Sequence, residues 1–168
     1  MSDVTLKDIF SLAQHVISQA TEKNLRIGTA ESCTGGLIGA AITSIAGSSA
    51  PFKGGIIAYD NSIKISHLGV GEDVLADHGA VSEAVAKAMA EGALSALKID
   101  LAVSVTGIAG PGGGTDEKPV GTVWIGLALK GQDATATLHN FGDIGRNKVR
   151  DVTCFEALKA LKSVLSNA

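Results

Sequence analysis

Segments with the apolar periodicity of helices alternate with strand-like segments over residues 5–105, and this order restricts the fold more than any other feature. A helix between two strands lets those strands lie parallel. Further on, two strand-like segments, 120–129 and 134–141, follow each other across the turn 130–133 and predict an antiparallel hairpin. The sequence therefore predicts a single α/β domain over residues 1–168, a three-layer α/β/α sandwich with a mixed, mainly parallel sheet.

The individual elements follow from these patterns and from residues that favour helix ends. Helices are predicted from Thr5, with Asp8 as its capping partner, to about Ala20, over 37–47, from Asn61 or Ser62 to Gly69, over 72–77, from Ser82 to about 98, and over 146–165. Strands are predicted at 25–29, 54–59, 101–105, 120–129 and 134–141. We expect the strand 54–59 to be buried and the uncharged strand 101–105 to be central.

The overall charge disfavours a nucleic-acid partner, because 14 basic and 17 acidic residues are spread along the chain without blocks of like charge. No apolar run is long enough to span a bilayer, and the first ten residues lack the pattern of a signal peptide. A soluble, cytoplasmic protein without a membrane partner is therefore expected. The two cysteines, Cys33 and Cys154, provide neither a disulfide framework nor a zinc site, and no metal is predicted.

The segment 29–36 places Ser32 between a strand and a helix, where backbone N–H groups lack partners and the helix end is positive. Both features favour an oxyanion or a phosphate, so Ser32 is a candidate nucleophile. The turn resembles a nucleophile elbow in this respect but lacks the flanking glycines of that motif. Two alternatives stay open. Either Ser32 or Thr34 is only the N-cap of the helix, or Cys33, acidified by the helix end, is the nucleophile.

A serine hydroxyl needs a neighbouring base, and Lys64 is the candidate. The four histidines, at positions 15, 67, 78 and 139, are expected at the surface, so a Ser–His–Asp triad is not supported. Tyr59 ends a strand and Lys64 lies one turn into the next helix, so both are expected to meet Ser32 at the carboxyl edge of the sheet. A lysine acts as a base only where burial or a nearby positive charge lowers its pKa. Tyr59 would hold the hydroxyl and the amine in register; the alternative is that Lys64 is solvated and Tyr59 has no function beyond ending the strand.

Two further segments are candidates for ligand binding. The glycine-rich loop 106–114 follows the most apolar strand, and its backbone is able to approach a ligand closely, although a flexible connector fits the sequence equally well. Arg146 begins the last helix, where a cation is unfavourable. We therefore predict that Arg146 contacts an anion such as a phosphate, assisted by Arg150; the alternative is a solvated arginine.

Six ordered segments together resemble one family, the C-terminal domain of competence/damage-inducible protein CinA. The segments are 30–36 (AESCTGG), 46–49 (AGSS), 59–61 (YDN), 78–82 (HGAVS), 107–111 (GIAGP) and 118–124 (KPVGTVW), and the similarity extends from about Leu6 to Leu165. Stand-alone members of this family are nicotinamide-nucleotide amidases. Because the chain lacks the N-terminal domain of longer members, it is similar to the stand-alone form.

The resemblance implies hydrolysis of nicotinamide mononucleotide to nicotinic acid mononucleotide and ammonia in pyridine nucleotide salvage, without a metal or an organic cofactor, by a homodimer. It implies that Ser32 is the nucleophile and that Tyr59 and Lys64 complete the catalytic group. The substrate-binding residues it implies are Cys33, Thr34, Gly35, Gly36, Thr106, Gly107 and Arg146. The family's Gly-Asp-Arg run is here interrupted, as Gly142-Asp143-Ile144-Gly145-Arg146.

The resulting hypothesis is a serine acyl-enzyme. Lys64 removes the proton of Ser32, whose oxygen attacks the carboxamide carbon while N–H groups of the turn 32–36 stabilise the oxyanion. Ammonia leaves, water resolves the acyl-enzyme, and Arg146 with the last helix holds the 5′-phosphate. The alternative from another class is a nucleotide-binding regulatory or partner-docking module without turnover, linked to competence or to the DNA damage response.

Overall fold

The computed structural model describes residues 4–167, which form six helices and five strands. The helices are α1 (Leu6–Glu22), α2 (Leu37–Thr43), α3 (Asn61–Leu68), α4 (Glu72–His78), α5 (Glu83–Ala96) and α6 (Arg146–Asn167). The strands are β1 (Ile27–Glu31), β2 (Phe52–Ile57), β3 (Leu101–Gly107), β4 (Thr122–Leu129) and β5 (Thr135–Asn140). All the predicted elements are present, and most bounds differ by only a few residues.

The five strands form one mixed sheet in the order β2-β1-β3-β4-β5. β1 pairs in parallel with β2 and β3, whereas β3–β4 and β4–β5 are antiparallel, so four of the five strands run in the same direction. Helices α1, α2 and α6 pack on one face, and α3, α4 and α5 on the other. This confirms the predicted α/β/α sandwich and the central position of the strand that begins at Leu101.

Two apolar cores hold the three layers together. The larger core joins α1, α2 and α6 to the sheet, with Ile9, Leu101 and Leu158 fully buried. The smaller one lies under α5, around Val85 and Met89. Burying each such side chain contributes about 1.5–3 kcal/mol, so these cores fix the helices against the sheet.

Side chains cap the starts of α1, α3 and α5. The N-cap residue of α2 is Gly36, and not Ser32 or Thr34 as the alternative interpretation had it, and α4 begins after Gly71. Thr5 and Asp8 form a capping box at α1, and the Ser82 hydroxyl caps α5. Helix α3 is capped by Asp60, whose carboxylate accepts from the Ser62 amide at 2.8 Å, and not by Asn61 or Ser62 as predicted. Asp60 is the residue before the helix, where its backbone is still extended and its carboxylate reaches the first turn.

Two predicted boundaries were wrong. Helix α2 ends at Thr43, and residues 44–47 form turns. The strand predicted as buried at 54–59 is β2, which ends at Ile57 and lies at the edge of the sheet with alternate residues exposed. Among the described helices, none combines the length and the apolar character needed to cross a membrane.

Candidate active site

The segments that follow β1, β2 and β3 meet the start of α6 around a cavity of about 280 Å³. The cavity therefore lies where the parallel strands end, at the edge of the sheet at which α/β folds bind ligands. Seven of the ten predicted site residues line it: Ser32, Cys33, Tyr59, Lys64, Thr106, Gly107 and Arg146. Thr34, Gly35 and Gly36 are outside its lining. Among these three described residues only Thr34 keeps a backbone amide without a partner, so its contact with a substrate stays a prediction.

The turn after β1 is organised by Glu31, which is buried with 1% of its surface exposed. Its carboxylate accepts five hydrogen bonds, from the hydroxyls of Thr29 (3.1 Å) and Thr34 (2.7 Å) and the amides of Gly36 (3.0 Å), Ile38 (3.0 Å) and Gly39 (2.8 Å). These amides belong to the start of α2, so an internal carboxylate already occupies that helix end. The expectation that the start of this helix offers free amides to a ligand anion was therefore wrong.

The other amides of the turn are divided between bonded and free groups. The Ser32 amide donates to Val105 O, and the Gly35 amide donates to Ser32 O, each at 3.0 Å. Within the described chain, no oxygen accepts from the amides of Cys33 and Thr34, and the Cys33 amide contacts only its own thiol. Of the donors expected along 32–36, these two are the ones available to an oxyanion.

The glycines at 35 and 36 are required by the shape of the turn. Both have positive φ, 62° and 97°, which side-chain-bearing residues rarely adopt. A Cβ on Gly36 would also lie 2.9 Å from Cδ1 of Ile57. The two glycines thus shape the turn behind Ser32. Gly36 faces Ile57 of β2, Gly35 faces Arg150 of α6, and neither lines the cavity.

Lys64 lies in the first turn of α3 and is buried, with 1% of its surface exposed, so the alternative of a solvated lysine is excluded. Its Nζ donates to the main-chain oxygen of Tyr59 at 3.2 Å. Burial lowers the pKa of Lys64, and the negative charge of Asp60 opposes this only in part. The amine that shares the cavity with Ser32 is thus biased towards the neutral form that a base requires.

Tyr59 lies on the loop between β2 and α3, with 59% of its surface exposed. Its phenol oxygen accepts from Nη2 of Arg146 at 2.9 Å, and its main-chain oxygen contacts Lys64. Tyr59 therefore contacts the amine through its carbonyl and Arg146 through its phenol, whereas its predicted alignment of the Ser32 hydroxyl stays a prediction.

Arg146 reaches from the start of α6 to the rim of the cavity. Its Nη1 donates to Gly110 O at 2.8 Å, and its second contact is the Tyr59 phenol, so both acceptors are neutral. No carboxylate in the described residues forms a salt bridge with Arg146. The guanidinium therefore keeps an uncompensated positive charge beside the cavity, which favours an anionic ligand.

Arg150, one turn further along α6, does not line the cavity. Its Nε and Nη2 donate to the main-chain oxygen of Thr34, at 3.3 and 2.9 Å. Its predicted assistance to Arg146 in binding an anion is replaced by a structural contact, because the fork of its guanidinium fixes the Ser32 turn from the outside.

The glycine-rich loop forms one wall of the cavity, through Gly107, Ile108, Ala109, Gly110, Gly112 and Gly113. It is anchored at its base, since the Ile108 amide donates to Thr122 O at 2.9 Å and Ile108 O accepts from Gly121. Thr106 is buried, and its hydroxyl donates to Ala80 O at 2.7 Å. This placement favours a binding wall over a flexible connector.

The cysteine alternative is disfavoured by the surroundings of Cys33. Burial raises the pKa of its thiol to about 12, so the thiol stays protonated at neutral pH. Cys154 is also buried and free. None of the four histidines, all within the described chain, lines the cavity.

Three of the histidines, at positions 15, 67 and 78, are exposed as predicted. His139 is the exception: it is half-buried and stacks on Phe141, with ring centroids 5.4 Å apart. The prediction of a surface residue was wrong for it, because it stacks on Phe141 and lines a groove with Glu156 and Lys159 of α6.

Sequence reasoning missed Glu31 and Asn61. Asn61 lines the cavity, whereas the sequence suggested only a helix cap. Glu31 carried a signal, since it is the single charged residue in an otherwise apolar or neutral strand and directly precedes the candidate nucleophile. Buried charges of this kind need several hydrogen bonds, which a helix start provides.

The chain was also compared with known proteins. The model of the family described as CinA C-terminal domain matches residues 9–165. A CinA-like protein of Dictyoglomus turgidum is 46% identical over 157 residues, which are 94% of this chain and 38% of that protein. A CinA-like protein of Parasynechococcus marenigrum is 50% identical over 154 residues, which are 90% of this chain and 36% of that protein. The chain thus spans little more than a third of the length of these curated relatives.

Solved structures share the whole fold. The crystal structure of competence/damage inducible protein CihA from Agrobacterium tumefaciens matches with a TM-score of 0.91 and 46% identity, covering 95% of this chain and 96% of that one. A competence-damaged protein (CinA) superfamily protein from Klebsiella pneumoniae matches with a TM-score of 0.90 and 32% identity, covering 95% of this chain and 99% of that one.

Proposed function

Because this chain belongs to the CinA C-terminal domain family, we propose that it is an amidase that converts nicotinamide mononucleotide to nicotinic acid mononucleotide and ammonia in pyridine nucleotide salvage. The observation that carries this proposal is that the buried Lys64 amine and the Ser32 hydroxyl line one cavity. Acyl transfer to an enzyme requires a nucleophile and a base, and a serine hydroxyl with a neutral amine provides both. The uncompensated charge of Arg146 at the rim fits the phosphate of a mononucleotide.

The reaction begins with proton transfer from Ser32 to the neutral amine of Lys64. The Ser32 oxygen attacks the carboxamide carbon, and the negative charge that develops on the carbonyl oxygen is stabilised by the amides of Cys33 and Thr34. The Lys64 ammonium then returns its proton to the leaving nitrogen, and ammonia departs. Water, deprotonated by Lys64, attacks the acyl-enzyme, which releases the carboxylate product and regenerates Ser32.

Substrate binding uses the other end of the cavity. Arg146 is held by Gly110 O and the Tyr59 phenol at a position where no carboxylate of residues 4–167 forms an ion pair with it. A phosphate would accept from its two N–H groups more strongly than these neutral oxygens do. The wall 107–113 then encloses the nucleotide between Arg146 and the Ser32 turn.

The test is ammonia release from nicotinamide mononucleotide by the wild type, Ser32→Ala and Cys33→Ala. We expect Ser32→Ala to lose at least about 1,000-fold in kcat, since catalytic nucleophiles act as a unit with their base. Cys33→Ala, which removes a neighbouring buried side chain of the same turn, is expected to keep kcat within about tenfold. An unimpaired Ser32→Ala enzyme would contradict the proposal.

A wild-type protein that releases no ammonia but melts at a higher temperature with nicotinamide mononucleotide would favour a binding module without turnover. The homodimer also belongs to the proposal, and light scattering of the purified protein measures the mass that decides it.

A further inference from the structure

Glu31 is a buried carboxylate that has no part in the mechanism above. With 1% of its surface exposed and five hydrogen-bond donors around it, it is as enclosed as any core residue. In the described chain it forms no salt bridge with a basic side chain. Its negative charge is therefore balanced by neutral dipoles, chiefly the amides that begin α2.

The position of Glu31 differs from that of an ordinary helix cap. The residue before α2 is Gly36, which has no side chain to cap the helix. Glu31 comes from the end of β1, and its carboxylate reaches past the candidate nucleophile to residues 36–39. The Glu31 side chain thus connects the end of β1 to the start of α2, and the segment 32–35 is the loop between these two points.

The rest of the turn is fixed from other directions. The Ser32 amide is held by Val105 O on β3, and the Thr34 carbonyl is held by Arg150 on α6. With Glu31 on the inner side, the turn has contacts to the sheet, to α2 and to α6. Two amides to which no oxygen of residues 4–167 is hydrogen-bonded, those of Cys33 and Thr34, follow directly after the nucleophile.

A neutral amide in place of the carboxylate would not preserve these contacts. Glu31 Oε2 accepts from Gly36 and Ile38, and Oε1 accepts from Gly39, so either orientation of a glutamine places its NH₂ group against at least one backbone N–H. Two donors that face each other cannot bond, and a buried amide left without a partner is unfavourable. The turn would relieve this by rearranging around residues 32–36.

We propose that Glu31 is a positioning residue for the reaction at Ser32, an inference that rests on the proposed amidase function. By taking the amides of residues 36, 38 and 39, it leaves those of Cys33 and Thr34 to face the reacting carbonyl oxygen. By occupying the start of α2 with its own charge, it also leaves Arg146 as the place where the substrate phosphate binds. Glu31 thus affects the chemical step and not the affinity for the nucleotide.

The test separates the chemical step from binding in the Glu31→Gln variant. We expect kcat for nicotinamide mononucleotide to fall at least 100-fold, while KM and the Kd of nicotinic acid mononucleotide, measured by calorimetry, change less than threefold. The matched control is Leu165→Ala, which removes a fully buried side chain from the other end of α6, roughly 28 Å along the helix from Arg146. This control loses thermal stability but is expected to keep kcat within threefold.

A folded Glu31→Gln enzyme with kcat within threefold of the wild type would overturn the inference, and so would a loss confined to KM. If Glu31→Gln does not fold, Thr34→Val replaces it, since this change removes one donor to the carboxylate and leaves the charge in place. It is expected to lower kcat about tenfold at unchanged KM, and an unchanged kcat would again overturn the inference.

Amide hydrogen exchange keeps this inference distinguishable from the proposed function. In the wild type, the amides of Gly36, Ile38 and Gly39 are expected to exchange at least 100-fold more slowly than in Glu31→Gln. If Glu31→Gln does not fold, Thr34→Val takes its place, and these amides are expected to exchange more slowly in the wild type than in that variant. Rapid exchange in the wild type would remove the basis of the inference whether or not ammonia is released. A wild type without activity but with slow exchange would instead refute the function alone.

Discussion

Lys64 combines a charged side chain with almost complete burial. Its described hydrogen bond is to a main-chain carbonyl, and the carboxylate of Asp60, whose charge acts on Lys64, is shared with the amide and hydroxyl of Ser62. An ammonium at this position has lost most of its hydration, and a hydrogen bond to a neutral carbonyl replaces only a small part of it. The arrangement is unfavourable for stability and suited to a base, which is a common relation in active sites.

This conflict at Lys64 makes a prediction about stability and pH. Burial lowers the pKa of Lys64 in the folded protein below its unfolded value near 10.5, so the unfolded chain binds more protons between the two values. The free energy of unfolding should therefore rise with pH through that window. Lys64→Met should be more stable than the wild type at pH 7, and this advantage should shrink as the pH approaches 10.5.

Urea unfolding of Lys64→Met and of the wild type, at pH 7 and at pH 10, measures the difference in their free energy of unfolding at each pH. Lys7→Met removes the same charge from the exposed side of α1 and corrects for the change in net charge. A stability difference between Lys64→Met and the wild type that stays constant from pH 7 to pH 10 would contradict the burial of the amine.

At the scale of elements, α5 determines where the base lies. Helix α5 packs closely on the sheet, where the Ser104 hydroxyl donates to Ala86 O at 2.6 Å. It also packs closely on α3, since a Cβ on Gly92 would lie 1.9 Å from Leu68 O. Helix α3 carries Lys64, so the close packing of α5 on α3 determines the position of the lysine at the cavity.

The contact between α5 and α3 predicts the effect of Gly92→Ala. Glycine to alanine inside a helix normally stabilises by about 1 kcal/mol, whereas forcing a methyl group into packed backbone costs about 1–3 kcal/mol. Because the clash is with backbone, we expect Gly92→Ala to destabilise the fold by about 1–2 kcal/mol. Gly39→Ala in α2 is the matched control, since its Cβ would lie no closer than 3.5 Å to any neighbour.

Chemical denaturation of the two variants measures the difference. Gly39→Ala should be as stable as the wild type or slightly more so. Should Gly92→Ala gain stability to the same extent, the close packing of α5 on α3 would be disproved.

In the molecule as a whole, one end of the sheet forms the cavity and the other end contributes to the stability of the fold. The cavity lies where β1, β2 and β3 end, whereas the start of β1 is tied to the start of β3 by an ion pair. Asp100 accepts from the backbone amide of Arg26 at 2.9 Å and from its guanidinium at 3.0 and 2.9 Å. Three hydrogen bonds to one carboxylate join two parallel strands that are far apart in sequence.

This ion pair predicts a loss of stability without a loss of activity. Hydrogen bonds from Arg26 lower the pKa of Asp100 to about 2, below its ordinary value of 3.8. The carboxylate therefore stabilises the fold fully above pH 3.8, and this contribution disappears as the pH falls towards 2. Asp100→Asn should lower the free energy of unfolding at pH 7, and its difference from the wild type should vanish near pH 2.

Urea unfolding at pH 7 and pH 2.5 provides the comparison, with ammonia release as the second measurement. Glu83→Gln is the control, because it breaks an exposed pair with Lys87 on a single helix and is expected to have a much smaller effect. If Asp100→Asn lowers kcat in proportion to the free energy of unfolding, the prediction that this end of the sheet acts on stability alone is contradicted.

Local signals in the sequence predicted the helices and strands, and they named seven residues that line the cavity. Periodicity and caps such as Thr5 and Ser82 predicted the helices, because these signals act over a few neighbouring residues. The absence of charge predicted that the strand beginning at Leu101 is central. The rule that parallel strands end at one edge predicted that Ser32 and Lys64 would lie at the same cavity, which needs only the order of the elements.

Which groups remain available at that edge depends on contacts between segments that are distant in the sequence. That β2 is an edge strand depends on its neighbours, which an apolar sequence does not specify. The phenol of Tyr59 meets Arg146 across 87 positions of the chain, and Lys64 is buried because α3 packs on α5. The amides of α2 are occupied by Glu31 because a folded turn brings its carboxylate to them. Such contacts depend on distances in space, and local sequence carries no record of these.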